Sequence, residues 1–263
     1  MNIVVCVKQV PEVTDAELEI NKEGAEILKE DLEFDINEWD NYAVEEAVRL
    51  KEANGGKVTV VTLGDEDCED VLRTALAMGA DEAIRIDEQG FEFSDAAGIA
   101  QGLYRAVRDV PFDLLLTGAQ GSDDGWAQVG LTLAELLGIP YASLVVGVEI
   151  GEGTIRVHRE LESNTQEKVE MPLPAALTIQ TGINNPRYVS IMGIQKVRRI
   201  EIKETDSEEL GLSEAEIGSQ GSRVASQKLS LPQVGEGADI LTGSLDEICE
   251  KTAQIIRDMG GVM

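Results

Sequence analysis

The chain has 263 residues, 43% of them hydrophobic but only 4% aromatic, and its 50 acidic against 22 basic residues give a formal net charge of −28. A surface this negative repels phosphate backbones, which excludes nucleic-acid binding, and no apolar run approaches the roughly 20 residues that span a bilayer. Cys6, Cys68 and Cys249 lie far apart without CxxC spacing, which excludes a zinc or iron–sulfur site and a disulfide framework.

Residues 2–8 form an apolar run of strand type that opens the chain directly, with no charged region followed by a long apolar one. With the cysteine usage, this leads us to expect a soluble, cytoplasmic protein without a leader; the acidity fits either a high-salt cytoplasm or an ordinary acidic protein. Residues 40–53 read as a helix with Ala43, Ala47, Val48 and Leu50 on one side and Asp40 as its N-cap. The β-branched run 57–63 is a buried strand. A helix over 67–78 follows, with Leu72, Ala75, Leu76 and Met78 apolar and a stop at Gly79. Then come a strand at 82–86, a helix at 94–108, a strand at 112–117 and a helix at 126–137 closed by Gly138 and Pro140. This alternation specifies an α/β fold with a right-handed, doubly wound, mostly parallel sheet, and the aliphatic composition suits its covered core.

After residue 140 the rhythm changes. The runs 142–150, 153–161, 166–171 and 175–180 are consecutive strands with turns between them, which predicts an antiparallel hairpin or meander at the sheet edge. From 203 to about 237 the chain is acidic, then rich in Ser, Gly and Gln, and reads as an arm or linker. A last amphipathic helix over 244–259 carries Leu245, Ile248, Ile255 and Ile256 and needs a surface, on this domain or another chain. Two units are therefore expected, 1–202 and 203–263.

Ligands of open parallel sheets bind outside the carboxyl ends of the strands. Four segments meet that edge. Val7 to Pro11 is a strand exit, read either as a proline stop or as backbone facing an adenine or ribose. Asn37 lies just outside its helix, where its amide bonds a ligand or a turn. Leu63, with Gly64, ends a buried strand and packs either on a base or in the core. Thr117 to Gly130 runs from a strand through a glycine-rich loop into a helix, where free amides suit a phosphate; the alternative is an ordinary connection. This loop contains no Lys or Arg, no Walker lysine and no G-x-G-x-x-G, and Asp123 and Asp124 are awkward for an anion unless they cap the helix or hold a cation. His158, the only histidine, reads as a surface or hairpin residue. With no second histidine, nucleophile elbow or metal-ligand spacing, no catalytic residues and no metal site are assigned.

Taken in order, Val7-Lys8-Gln9-Val10-Pro11, the helix from Asn37 through Ala43-Val44-Glu45-Glu46-Ala47-Val48-Arg49-Leu50-Lys51-Glu52, the run Leu72 to Asp81 and the loop 117–130 resemble electron transfer flavoprotein β subunits. So do Val157-His158-Arg159-Glu160-Leu161-Glu162 with Glu167-Lys168-Val169 and Pro174, and Asn185-Pro186-Arg187-Tyr188 with the stretch to Lys196. The likeness covers about residues 1–202. Departures are Ser163 and Asn164 where acidic residues or glycines are usual, Ala176 for a larger aliphatic, Val129 for a threonine and Leu63 for the cysteine of some members.

The resemblance implies a Rossmann-like domain in a heterodimer whose α subunit carries FAD. It implies a buried adenine nucleotide in this chain: AMP in most members, a second FAD in electron-bifurcating ones. Residues carried over to that site are Val7, Asn37, Leu63, Asp124, Gly125, Trp126, Ala127, Gln128, Val129 and Gly130. Docking of acyl-CoA or other flavin dehydrogenases falls on Arg187, Tyr188, Ile191, Met192 and Lys196, with Ile191 as apolar anchor; otherwise Ile191 and Met192 are core. Arg187, Lys196, Arg198 and Arg199 would steer an acidic partner, unless Arg198 and Arg199 only pair with Glu201 and Glu204. The function implied is that of an electron carrier, not an enzyme. The rival reading is an ATP-handling enzyme or stress-type nucleotide sensor, which needs a basic residue by the phosphates.

Overall fold

In the first strand Ile3 and Val5 point to one side and Val4 and Cys6 to the other, and both sides are buried. A strand apolar on both faces requires helices above and below it. The computed structural model describes all residues except 15, 17, 23, 25, 30, 31, 233–236 and 261–263. The chain runs β1 (Asn2–Cys6), β2 (Gln9–Glu12), β3 (Glu33–Ile36), α1 (Glu38–Asn54), β4 (Lys57–Leu63), α2 (Glu69–Met78), β5 (Glu82–Ile86), α3 (Ala96–Val107), β6 (Leu114–Gly118), α4 (Val129–Leu137), β7 (Tyr141–Ile150), β8 (Thr154–Leu161), β9 (Thr165–Pro172), β10 (Ala175–Ile179), α5 (Ile191–Val197), β11 (Ile202–Thr205), α6 (Gly218–Gly221) and α7 (Leu245–Asp258).

Nine strands form one sheet in the order β11-β5-β4-β1-β6-β10-β7-β8-β9. All pairings from β11 to β7 are parallel, and β8 and β9 add the antiparallel meander at one edge. Helices α1 and α2 cover one face through Val44, Val48, Leu72 and Leu76, packed with Ile3 and Val5. On the opposite face α3 and α4 bring Leu103, Val107 and Leu133 onto Val4, Ile84 and Leu115. The sheet is doubly wound, as the alternation of elements predicts. Each such fully buried aliphatic side chain stabilises the fold by about 1.5–3 kcal/mol.

Several expectations are corrected. The run 175–180 is not a fourth meander strand: β10 inserts between β6 and β7, parallel to both. Its burial is complete along the strand, which matches a central parallel strand and not an edge. The exit after β1 does not stop at Pro11 but continues as β2, paired antiparallel with β3. The arm does not leave the sheet at 203, because Ile202–Thr205 pairs with β5 as β11. Beyond it Ile217 is buried beside α3, Arg105 pairs with Glu216 at 2.9 Å, and the Asp95 carboxylate accepts the amides of Arg223 and Val224. Residues 233–236 and 261–263 of the expected arm lie outside the described residues. Helix α7 carries a capping box between Ser244 and Glu247, and Leu245, Ile255 and Ile256 on it are exposed.

Candidate functional site

Chain connections diverge at β1, which leads through α1 to β4 on one side while β6 lies on the other. At such a switch point the two crossovers part and leave a crevice at the strand ends. A cavity of about 230 Å³ opens there. Val7 and Leu63 line it together with Ile99 and Leu103 of α3, which gives it an apolar wall. Asn37, Asp124, Trp126, Ala127, Gln128, Val129 and Gly130 also line it, so residues up to 123 positions apart share one space. Gly125 does not border the cavity.

Three polar residues organise the rim. Asp40 is not an N-cap: Asn37 occupies that position, and Asp40 lies inside α1, turned inward and 6% exposed. Its Oδ2 accepts the Lys8 amide and its Oδ1 the Gly118 amide, both at 2.8 Å, so one carboxylate joins the exits of β1 and β6. A side chain at 118 would collide with that carboxylate, which is why the position is glycine. Burial pushes the Asp40 carboxyl up to about 7, although the two amides, Asn37 and Lys8 favour its ionised form. Asn37 donates through Nδ2 to Gln120 O at 2.8 Å and accepts Ser122 N–H at 3.1 Å. These bonds tie the start of α1 to the loop after β6, and Asn37 also borders the cavity.

The third polar residue is Lys8, which the sequence reading missed as a site residue. It enters from β1, and its Nζ meets Asp123 at 2.7 Å and Asp124 at 2.8 Å. The two aspartates do hold a cation, but it is a side chain, and the loop is not without positive charge. The only local signal was Lys8 beside Val7 in the strand exit.

The helix after the loop begins at Val129, not at 126. Gly125 and Ala127 are left-handed, with φ of 62° and 53°, and Asp124 Oδ1 accepts the Trp126 amide at 3.0 Å, so the backbone forms a turn. Left-handed geometry at Ala127 costs about 1–2 kcal/mol. Gln128, the N-cap of α4, makes no side-chain capping bond, and Val129 and Gly130 behind it border the cavity. Amides at a helix start with their dipole favour an anion there.

The second candidate surface lies beside α1. Tyr188, Ile191 and Met192 are 90%, 76% and 70% exposed, so Ile191 and Met192 are not core. Lys196 is also exposed. Ser190 caps α5 by accepting Gly193 N–H. Arg187 is not free to steer a partner: it pairs with Glu45 and Glu52, each at 2.8 Å. Glu204 pairs with Arg85, and among the described residues Arg198 and Arg199 make no ion pair. His158 lies in β8, 3.6 Å from Glu149.

The electron transfer flavoprotein domain model matches residues 26–210. The chain belongs to the electron transfer flavoprotein β-subunit family. It is 33% identical to the electron transfer flavoprotein subunit beta of Methylophilus methylotrophus, over 99% of this chain and 100% of the relative. The subunit beta of Bacillus subtilis is 36% identical, over 100% of both chains. The caffeyl-CoA reductase-Etf complex subunit CarD of Acetobacterium woodii is 32% identical, over 93% of both. This family is one of electron-transfer proteins, which replaces the ATP-handling alternative on firmer ground than the loop composition does, since Lys8 supplies the base that loop lacks. Among the described residues no helix is long and apolar enough to cross a membrane, and no group of three His, Cys, Asp or Glu is placed to hold a metal.

Proposed function

We propose that this chain is the β subunit of a heterodimeric, cytoplasmic electron transfer flavoprotein that holds AMP in the crevice between β1 and β6. Its partner α subunit carries the FAD, which supplies the redox chemistry. The observation that carries the reading is the junction in one cavity of an apolar wall, Val7, Leu63, Ile99 and Leu103, with the uncapped start of α4 and Lys8. An adenine ring suits the wall, and a phosphate suits the amides opening α4. At about 230 Å³ the cavity lies below the roughly 300–1,000 Å³ of most cofactor pockets, which favours one nucleotide over the two halves of FAD. In this reading Val7, Asn37, Leu63 and the loop Asp124 to Gly130 shape the site, and Asp40 holds its two strand exits together. Release of AMP from the purified, denatured protein is the expected result. One flavin per heterodimer supports AMP, two place FAD here instead, and no adenine compound at all removes the site.

In the same reading the segment from Arg187 to Lys196 docks acyl-CoA or other flavin dehydrogenases. A relative named for a caffeyl-CoA reductase complex supports this partner class. Exposed Ile191 and Met192 on a capped helix suit an anchor that fills a partner's pocket. Ile191→Ala should slow electron transfer from such a dehydrogenase about tenfold, the loss of one well-placed anchor, while nucleotide content stays the same. Stopped-flow flavin reduction measures it, and unchanged rates with several donors would discard the anchor.

A further inference from the structure

The α3 wall of the crevice is tied to the arm at one carboxylate. Asp95, 8% exposed, caps α3: its Oδ1 accepts the amides of Ala97 at 3.0 Å and Gly98 at 3.1 Å. Its Oδ2 accepts the amides of Arg223 at 2.7 Å and Val224 at 3.1 Å. Burial alone would raise this carboxyl, but the four amides outweigh it and hold it below the usual range. Beside it Ser94 Oγ accepts the Gly218 amide at 2.7 Å, and Ser222 Oγ accepts the Asp95 amide at 2.9 Å. Ser94 borders the cavity, as do Ile99 and Leu103 of α3. Gly98 lets α3 and the arm approach closely, because a Cβ there would lie 3.1 Å from Ser94 Oγ and 3.6 Å from Ile217 Cα.

Past the buried Ile217 the arm is held by polar ties and little packing. Arg223 and Val224 are exposed, and a second cavity, of about 620 Å³, is lined by Gly221 and Arg223 together with Gln101 of α3 and Leu131 of α4. Further along, the Leu229 amide donates to Gly24 O at 2.7 Å. A segment held in this way can leave its seat without unfolding the sheet beneath it. We propose that Asp95 is a positioning residue through which the seated arm retains the nucleotide: with the amides of Arg223 and Val224 on its carboxylate the α3 wall is fixed, and with the arm lifted the wall loosens and the nucleotide leaves. This coupling rests on the nucleotide reading above and names what regulates that site. It acts in both directions, so a bound nucleotide holds the arm down in turn. The same arm ends in α7, so a partner that seizes α7 reaches the crevice through Asp95.

Asp95→Asn separates the two roles of the carboxylate. An asparagine oxygen caps α3 as well as an aspartate does, while the NH2 group meets the arm amides donor to donor. The full chain, loaded with radiolabelled AMP and chased with unlabelled AMP, should release the label about tenfold faster in Asp95→Asn than in wild type, the loss expected for one charge-assisted contact. Val224→Pro, which deletes one arm amide and leaves α3 untouched, should also speed release. Trypsin reads the reverse direction at Arg223 and Lys228, both exposed. Saturating AMP should slow cleavage there about tenfold in wild type and leave it unchanged in Asp95→Asn, which a purely structural role of Asp95 would not produce. Circular dichroism checks that each variant folds; Ser222→Ala, which removes the tie to the Asp95 amide, serves if Asp95→Asn does not fold. Release unmoved by the substitutions, or cleavage slowed by AMP equally in both proteins, overturns the coupling and leaves the adenine site standing. Failure of AMP to bind wild type removes the nucleotide reading, and the coupling with it.

Discussion

Asp40 holds a carboxyl group where charge is poorly solvated, and the fold uses it as a joint. Because burial lifts it from 3.8 to about 7, its folded-state value lies above the unfolded one. Unfolding then releases a proton between those values, so the stability tied to Asp40 is full below about pH 4, declines as pH rises toward 7 and levels off above. Asp40→Asn keeps one acceptor, presents a donor to the other amide and does not titrate. It should cost about 1–3 kcal/mol at pH 5 and flatten the decline between pH 5 and pH 8. Urea denaturation across that range measures both, and equal slopes in the two proteins would contradict the assignment. Thiols give a second check at this scale. Burial, then the Asp40 charge, pushes Cys6 up to about 12; burial, then Asp65, does the same to Cys68. Neither forms thiolate at pH 8, whereas Cys249 is exposed on α7. One thiol per chain should react quickly with a disulfide reagent, and two or more fast equivalents would show that the strand ends are open. At this scale little was legible in sequence: Asp40 and Lys8 stand in plain view, but a carboxylate in a first turn reads as a cap until the strand exits behind it are placed.

Among the elements, α1 serves two surfaces. Asn37 and Asp40 at its start shape the crevice, while Glu45 and Glu52 further along hold Arg187 and with it the segment leading to Ile191. Glu45 is 2% exposed and also pairs with Arg49 at 2.7 Å. Burial alone would raise its carboxyl, but the guanidiniums of Arg187 and Arg49 outweigh it and hold it below the usual range. Glu45→Ala would remove the buried carboxylate shared by Arg49 and Arg187 and leave Arg187 held by Glu52 alone; it should cost about 2–3 kcal/mol, with faster proteolysis near residues 184–190. Limited proteolysis and urea melts check it; an unaltered cleavage pattern would separate α1 from the docking segment. Elements with a clean period were legible. Leu72, Ala75, Leu76 and Met78 give α2 its buried face and Gly79 its stop, and both are local signals. The start of α4 was not legible, because the left-handed turn at Gly125 and Ala127 rests on where Asp124 is held by Lys8.

For the whole molecule, the meander stands at one edge of the sheet and the chain after β11 at the other. Helix α7 ends that second stretch with a strong cap and an apolar stripe exposed at Leu245, Ile255 and Ile256. A single helix of this length is marginal in water without tertiary packing. In the proposed heterodimer the α subunit covers that stripe. Ile255→Asp with Ile256→Asp should leave the nucleotide content of this chain unchanged and abolish co-elution with the α subunit in size-exclusion chromatography. Retained co-elution would move the interface elsewhere.

The amino-acid sequence determined the alternation of strands and helices, the two buried faces of the sheet and the family, because periodicity, stops and ordered motifs are local or linear signals. Tertiary structure decided the place of β10 between β6 and β7, the continuation of the sheet into β11, and the rim on which Lys8 meets aspartates 115 and 116 positions away. Those features depend on which strand ends meet in space, and no pattern of neighbouring residues carries that information.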